Sequence, residues 1–281
     1  MTSDRSAPAS LINTFFSWFL LAFIGITSIL FFIPALIIWA LTVLFDRRLI
    51  ALSMYSAFWG SVYTWCVPIW NVTIIGREKM DMKKHYMIVS NHQSQLDILV
   101  AYRLMYPFRW VSKAEVFRLP FIGWNMMLNR HVRIKRGDKQ SREQMMKDCE
   151  SALAERASLY FFPEGTRSSS GIMKPFKPGA FILAHKMKTP ILPVVINGTK
   201  DALPKHSLTI TGIRTMTLTV LDEIPYEAFK DLSIDQTAQM AFDTISRHVR
   251  EHAEQGSDPA DSRGIDPLES AAPGRTSPHG R

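Results

Sequence analysis

The residue types best suited to chemistry in this sequence are a histidine and an aspartate separated by four residues, His92 and Asp97. They follow a short apolar run, residues 86–89, that is typical of a buried strand, and a helical apolar spacing comes after them. A strand that turns into a helix here leaves the imidazole at a helix N-terminus, where partial positive charge disfavours the protonated ring. A neutral ring backed by a carboxylate can take a proton from an alcohol. The spacing therefore predicts that His92 is a general base and that Asp97 orients it.

A second group of polar residues is the segment Phe162-Pro-Glu-Gly-Thr-Arg-Ser168, which follows another apolar run. In α/β proteins, binding loops come directly after buried strands. Gly165 permits an unusual backbone angle, and we expect Glu164 and Arg167 at the tip of the loop. A guanidinium group there can bind a phosphate through two parallel hydrogen bonds. Taken alone, the segment is also consistent with a surface turn closed by an ion pair.

Composition limits the partners of the chain. Its 281 residues include 33 Lys and Arg against 25 Asp and Glu, a net charge of +8, which favours either nucleic acid or an anionic membrane surface. The two cysteines, Cys66 and Cys149, match no zinc or redox spacing, which excludes a disulfide framework and fits a reducing compartment. No cluster of His, Cys and carboxylate residues has the spacing of metal ligands, so we expect neither a metal nor a cofactor.

The N-terminal region favours the membrane over nucleic acid. Residues 6–45 contain no charged side chain, whereas a helix needs roughly 20 apolar residues to cross a bilayer. The run allows one long tilted span, or a hairpin of two helices that breaks near Pro34. It is too long for a signal peptide and no cleavage site follows it. A second uncharged stretch, between Arg48 and Arg77, is rich in aromatic residues and predicts an interfacial or half-buried helix rather than another pass.

Beyond residue 70 the pattern is that of an α/β domain. Apolar strand runs alternate with helices, which predicts a mixed, mostly parallel central sheet flanked by helices, behind the N-terminal membrane-embedded helical segment. Capping boxes at Ser141/Gln144 and Ser233/Gln236 predict the starts of two helices, the first reaching about Ala157. Two runs, residues 208–213 and 215–221, predict an edge hairpin or an extension of the sheet. The expected divisions are a short lead (1–10), membrane-embedded and interfacial helices (11–70), the α/β domain (71–256) and a disordered tail (257–281).

Three segments occur in a fixed order behind the apolar N-terminus: Asn91-His-Gln-Ser-Gln-Leu-Asp97, Phe162-Pro-Glu-Gly-Thr-Arg167 and Ile191-Leu-Pro-Val-Val195. Together they resemble the glycerolipid acyltransferase superfamily, and most closely the 1-acyl-glycerol-3-phosphate (lysophosphatidic acid) acyltransferases. The resemblance covers about residues 70–224. It implies transfer of a fatty acyl group from acyl-CoA or acyl carrier protein to the free hydroxyl of 1-acyl-glycerol-3-phosphate, which gives phosphatidic acid.

The resemblance also implies roles for single residues. His92 matches the general base and Asp97 its orienting carboxylate, and backbone N–H groups near the start of the following helix are candidates to stabilise the oxyanion. Pro193 matches a strand residue that shapes the acyl-binding side. Lys113, which is equally consistent with a solvated lysine at a helix start, matches a basic residue that precedes the acceptor motif. The residues that match acceptor binding are Arg136, Glu164, Gly165, Thr166 and Arg167, with Arg136 and Arg167 on the phosphate.

One position departs from the pattern of this superfamily. Lys135 stands where an aspartate is expected, which leaves open another lysophospholipid or a lyso-aminolipid as the acceptor. A non-catalytic membrane lipid-binding protein is a further alternative, although a binding protein has no need of a base. Asn197-Gly-Thr199 matches a glycosylation sequon by pattern only. We expect an integral protein of the inner or cytoplasmic membrane whose catalytic domain lies on the cytoplasmic side, with the lipid bilayer as a partner and no nucleic acid.

Overall fold

The computed structural model describes residues 7–168, 172–202 and 214–255, and these contain one seven-stranded sheet. The strand order is β1-β7-β6-β2-β5-β3-β4, and neighbouring strands are parallel except for β6 and β7, which are antiparallel. The prediction of a mixed, mostly parallel sheet is therefore confirmed. The strands are β1 (Trp70–Ile75), β2 (Met87–Ser90), β3 (Phe108–Lys113), β4 (Val132–Ile134), β5 (Ser158–Phe161), β6 (Ile191–Asn197) and β7 (Arg214–Val220).

Helices cover both faces of this sheet, as predicted for strands that read as continuous apolar runs. Alternate residues of β2 enter different cores: Ile88 packs with α3 residues on one face, while Met87 and Val89 pack with α5, α6 and α8 residues on the other. The helices are α1 (Ala7–Thr42), α2 (Ile50–Trp65), α3 (Leu96–Tyr102), α4 (Ile122–Leu128), α5 (Lys139–Ala154), α6 (Gly179–Lys186), α7 (Thr199–Ala202) and α8 (Ile234–Gln255).

The two capping predictions have different outcomes. The box before α8 is present, because Gln236 N–H donates to Ser233 Oγ at 3.2 Å and Ser233 N–H donates to Gln236 Oε1 at 2.8 Å. The box predicted at Ser141 is wrong. There, Asp138 is the cap and accepts from Ser141 N–H at 3.0 Å, and α5 ends at Ala154 rather than near Ala157. Aspartate is as good an N-cap as serine, and Asp138 comes first in the chain.

The edge of the sheet also differs from the prediction. Residues 70–75, which fell at the boundary of the stretch interpreted as an interfacial helix, form β1, the edge strand. β7 therefore lies between β1 and β6, so of the two alternatives predicted for residues 215–221 the extension of the sheet is the one found. Residues 208–213 and the predicted disordered tail (257–281) lie outside the described residues.

α1 and α2 form an antiparallel pair. Of the two alternatives for the apolar run, the structure has the single long helix: α1 continues through Pro34, and the turn between helices comes near residues 43–49. Phe31 stacks on Trp59 with ring centroids 5.8 Å apart, and Tyr55 Oη donates to Phe31 O at 3.1 Å. Among the described residues, one helix is long and apolar enough to cross a membrane, α1 over Leu21–Thr42, and only 11% of that stretch is buried. It is therefore not the core helix of the α/β domain.

Candidate active site

His92 and Asp97 are in direct contact, as their spacing predicts. His92 lies in the loop after β2, and Asp97 lies in the first turn of α3. His92 Nδ1 and Asp97 Oδ2 are 2.7 Å apart, with the carboxylate fully buried and the imidazole 12% exposed. A carboxylate accepts only, so Nδ1 carries the proton and Nε2 is left as the acceptor. α3 begins four residues after His92, at Leu96, so the ring is oriented by this hydrogen bond rather than by a place at the helix N-terminus.

Asp97 is held by further donors that sequence reasoning did not identify. Oδ2 also accepts the backbone N–H groups of Gln93 at 2.6 Å and Ser94 at 2.9 Å, while Oδ1 accepts the hydroxyl of Thr199 at 2.5 Å. Charge-assisted hydrogen bonds of this kind offset the cost of burying a carboxylate. They also use two of the backbone donors that we expected to serve an oxyanion. The N–H groups of Gln93 and Ser94, which precede α3, are thus already used, and oxyanion binding by the other N–H groups near the helix start stays a prediction.

An aromatic wall supports the other side of the imidazole. The ring of Phe162 stacks on His92 with centroids 4.0 Å apart and planes 15° apart, and Trp110 stacks on Phe162 at 5.6 Å. Phe162 is the first residue of the second motif, so its position beside the base follows from β5 lying next to β2 in the sheet. The stack restricts the ring to one orientation.

Glu164 is buried rather than offered at the loop tip, in contrast to the prediction. It is 2% exposed, and its carboxylate oxygens accept the backbone N–H groups of His92 at 2.8 Å and Lys174 at 3.0 Å. Burial raises the pKa of this carboxyl group, and the two backbone hydrogen bonds oppose that shift. Ser168 N–H donates to His92 O at 2.9 Å, which gives a second link between the loops. In this structure Glu164 therefore holds the backbone of His92, and its predicted part in acceptor binding stays a prediction.

The rest of the second motif forms a tight loop beside the base. Gly165 has φ +71°, as the sequence predicted, and the end of the Lys177 side chain lies over the place where a Cβ would be. Thr166 and Arg167 follow in the same loop and are both half-buried. The structure thus brings His92, Asp97 and residues 164–167 together.

Lys113 and Arg136 lie along the same edge of the sheet but further from the base. Lys113 ends β3, and Arg136 comes two residues after β4. Lys113 Nζ is 3.3 Å from Glu115 Oε1 in a half-exposed pair, and Arg136 is exposed. Because neighbouring strands are spaced by about 4.8 Å, β4 is roughly 14 Å from β2. These cations form the rim of the site.

Pro193 is the third residue of β6, which pairs with the central strand β2, and it lies opposite Val89. Beyond Pro193, the ends of β2 and β6 are joined by a side chain: the Asn91 amide donates to Ile196 O at 2.7 Å and accepts from Ile196 N–H at 2.8 Å. Asn91 therefore locks the loop that carries His92 to β6. The shaping of an acyl site by Pro193 stays a prediction.

Comparison with known proteins places these motifs in a family. The sequence profile of the acyltransferase family matches residues 71–197. A 1-acyl-sn-glycerol-3-phosphate acyltransferase of Chlamydomonas reinhardtii is 35% identical over 80% of this chain, and one of Limnanthes alba is 31% identical over 70%. The chain spans 66% of the algal protein, 69% of the Limnanthes protein and about half of chloroplast enzymes with the same name.

The fold has a counterpart among solved structures. The 1-acyl-sn-glycerophosphate acyltransferase PlsC of Thermotoga maritima superposes with a TM-score of 0.71, covering 87% of this chain and 98% of that one. At 20% sequence identity, this likeness establishes the shared fold.

Proposed function

This chain belongs to the glycerolipid acyltransferase superfamily, and on that premise we propose that it acylates 1-acyl-glycerol-3-phosphate to phosphatidic acid. The acyl donor is a thioester, acyl-CoA or acyl carrier protein, and no cofactor takes part. The observation that carries the proposal is the 2.7 Å contact between His92 Nδ1 and buried Asp97. It leaves Nε2 as a proton acceptor in a site whose backbone is held by the second motif.

The proposed reaction has two steps. The free glycerol hydroxyl gives its proton to His92 Nε2 as its oxygen bonds to the thioester carbonyl carbon, and Asp97 stabilises the imidazolium that forms. The tetrahedral intermediate then collapses, the carbon–sulfur bond breaks, and the thiolate takes the proton back from the ring. A positioned base of this kind contributes about 10² to 10⁴ in rate.

Arg167 is better placed than Arg136 to hold the phosphate of the acceptor. In this acceptor, adjacent carbons of the glycerol carry the reacting hydroxyl and the phosphate ester, so the phosphate must lie within one side-chain length of the base. Arg167 belongs to the loop that is hydrogen-bonded to His92 through Glu164 and Ser168. Arg136 and Lys113 lie further along the edge, where they attract an anionic headgroup or an anionic donor.

We propose that the protein works at a lipid bilayer. The acceptor keeps an acyl chain whose methylenes each cost about 0.8 kcal/mol to expose to water, so it is best reached at the membrane. α1 offers a long apolar surface with large exposed residues such as Ile26, Leu30 and Ile33. The basic residues that follow it suit the cytoplasmic face of an inner or cytoplasmic membrane.

A different lysophospholipid, or a lyso-aminolipid, is the second candidate acceptor. It is favoured by Lys135, which stands where the superfamily has an aspartate. In the structure Lys135 is exposed and its Nζ is 3.8 Å from Asp138 Oδ2, at the start of α5. The lysine therefore adds charge to the outer rim and not beside His92.

The test uses the full chain purified in detergent, with labelled acyl-CoA and, separately, acyl carrier protein as donors. The acceptors are lysophosphatidic acid, lysophosphatidylethanolamine and neutral monoacylglycerol. We expect lysophosphatidic acid to be used best, and His92→Ala to lower the rate by about 10³. Equal use of monoacylglycerol would contradict recognition of the acceptor through its phosphate. A His92→Ala protein with the normal rate would contradict the role of His92 as the catalytic base.

A further inference from the structure

Thr199 is a buried residue that the proposed reaction does not yet use. It is the first residue of α7, two residues after the end of β6, and it is 0% exposed. Its Oγ1 lies 2.5 Å from Asp97 Oδ1. Because an ionised carboxylate only accepts hydrogen bonds, the hydroxyl is the donor.

The two oxygens of Asp97 therefore have separate partners. Oδ2 accepts from the imidazole N–H of His92 and from the backbone N–H groups of Gln93 and Ser94, all in the loop between β2 and α3. Oδ1 accepts from Thr199, which is 102 residues away in the chain. The plane of the carboxylate is thus fixed from two independent elements.

The backbone before Thr199 leaves the hydroxyl little freedom. Gly198 has φ +81°, and a Cβ there would collide with the backbone oxygen of Thr215. Asn197, the residue before Gly198, pairs with Thr217 of β7, so the backbone that leads to Thr199 is held by the sheet. Asn197 and Thr199 are both buried, which accounts for the Asn-Gly-Thr pattern as part of the fold and not as a glycosylation site.

We propose that Thr199 is a positioning residue for the catalytic base. Its hydroxyl holds the carboxylate of Asp97 in the plane that presents Oδ2 to His92 Nδ1, and it takes up part of the negative charge. This role rests on the proposed function, since it acts through the same base.

Removal of the hydroxyl has two predictable effects. Oδ1 loses a donor in a buried place, so the carboxylate turns toward other donors and the alignment of the imidazole loosens. Without the hydroxyl, the negative charge of Asp97 also acts more strongly on the imidazole of His92, so this ring keeps its proton to higher pH. The other titratable groups whose fields reach this site, Glu164 and the buried phenol of Tyr160, are the same before and after the change.

The experiment compares Thr199→Val, which keeps the size and removes the hydroxyl, with Thr199→Ser, which restores it. Thr189→Val is the matched control. Thr189 is also 0% exposed, its hydroxyl donates to Met187 O, and it lies just before the N-terminal end of β6, away from Asp97. We measure kcat and KM for lysophosphatidic acid from acid to neutral pH. The titration of His92 is followed by NMR of protein labelled with ¹⁵N-histidine, with His92→Ala to assign the signal.

We expect Thr199→Val to lower kcat about tenfold, with KM changed by less than about twofold, as for one hydrogen bond to a charged group. The acidic limb of the rate profile and the titration midpoint of the ring should both move to higher pH. Thr199→Ser should restore all three quantities, and Thr189→Val should leave them unchanged.

Two results would overturn the proposal: a Thr199→Val protein with wild-type kcat and wild-type ring titration, or equal losses in Thr199→Val and Thr189→Val. If lysophosphatidic acid is not a substrate but another lysolipid is, the proposed acceptor fails, and the comparison is made with that lysolipid. If no acceptor is used, the proposed function fails, and the ring titration alone decides the role of Thr199.

Discussion

Glu164 shows how a carboxylate can serve catalysis without touching substrate. Both of its oxygens are occupied by backbone N–H groups, and one of these belongs to His92. In Glu164→Gln, the amide nitrogen would face one of the two N–H donors and cannot accept from it, so one of the two hydrogen bonds is lost. We expect kcat to fall by about 10- to 100-fold, since a hydrogen bond to a charged group is worth about 1.5–3 kcal/mol, while KM for the acceptor changes little.

Steady-state kinetics of Glu164→Gln with lysophosphatidic acid checks this prediction. Glu143→Gln, an exposed change on α5, is the matched control and should behave as the wild type. A large rise in KM with normal kcat would instead assign Glu164 to acceptor binding.

The same residue makes stability depend on pH in a defined direction. Burial raises the pKa of Glu164 in the folded protein above its ordinary value of 4.5. Between these two pKa values the unfolded chain has lost the proton and the folded chain still holds it, so folding is weakened as pH rises. Thermal unfolding of wild type and Glu164→Gln should therefore diverge as pH rises from about 4.5, with the wild type losing stability relative to the variant. Parallel curves would contradict this assignment.

At this scale the sequence was informative where partners are close in the chain. The contact between His92 and Asp97 follows from their spacing, because a loop that enters a helix brings residues i and i+5 together. The hydroxyl on Asp97 comes from Thr199, and no local pattern connects the two. Glu164 was recognised as functional, but one of the two N–H groups that its buried carboxylate accepts, that of Lys174, comes from a different segment.

At the scale of elements, two glycines with positive φ give the site its shape, and they should differ in tolerance. In Gly165→Ala the new methyl group meets the flexible end of Lys177, which can move aside. In Gly198→Ala it meets the backbone oxygen of Thr215 in β7, which cannot move without disturbing the sheet. Positive φ alone costs roughly 1–2 kcal/mol in each case.

We therefore expect Gly198→Ala to lower the unfolding temperature and kcat more than Gly165→Ala does. The added loss of kcat arises because Gly198 sets the position of Thr199 against Asp97. Thermal unfolding and kinetics of both variants, beside Gly179→Ala at a site with open space, provide the measurement. A Gly165→Ala protein more damaged than Gly198→Ala would reverse the argument.

The elements that were predictable are those with a strong local signal. β2, β5 and β6 are continuous apolar runs buried on both faces, and all three lie where the sequence placed them. β1 was not predicted, although its residues alternate between covered and exposed, because it lies in the uncharged stretch between Arg48 and Arg77 that was interpreted as an interfacial helix. Its partner β7 comes about 140 residues later, so the pairing has no signature in the neighbourhood of β1.

At the scale of the whole molecule, the placement of α1 gives the site its surroundings. One side of α1 packs on α2 through contacts such as Ser28 with Tyr63, while the opposite side carries large exposed apolar residues. α1 also touches α4, where Phe32 packs edge-on against Phe121 and Trp124. α1 is therefore joined to the rest of the protein through residues such as Ser28 and Phe32, while large apolar residues such as Ile26 and Leu30 face outward.

If that outward side contacts lipid, a pair of charges on it should release the protein from membranes. Ile26 and Leu30 are one helical turn apart and are 62% and 63% exposed, so lysines there disturb no packing inside the protein. Each lysine at the centre of a membrane-embedded helix costs about 2.5–3.5 kcal/mol. We expect the double variant Ile26→Lys/Leu30→Lys to lose co-flotation with phosphatidylglycerol-containing vesicles while it keeps the unfolding temperature of the wild type.

The matched control is Gln140→Lys/Gln144→Lys, which adds the same two charges at the same spacing on the exposed face of α5. It should float as the wild type does or better, because added positive charge attracts anionic lipid. The comparison separates insertion of apolar surface from attraction of charge, since only insertion is sensitive to where the lysines are placed. Equal flotation of both double variants would mean that basic residues alone hold the protein at the bilayer. The apolar face of α1 would then have no part in bringing the lipid acceptor to His92.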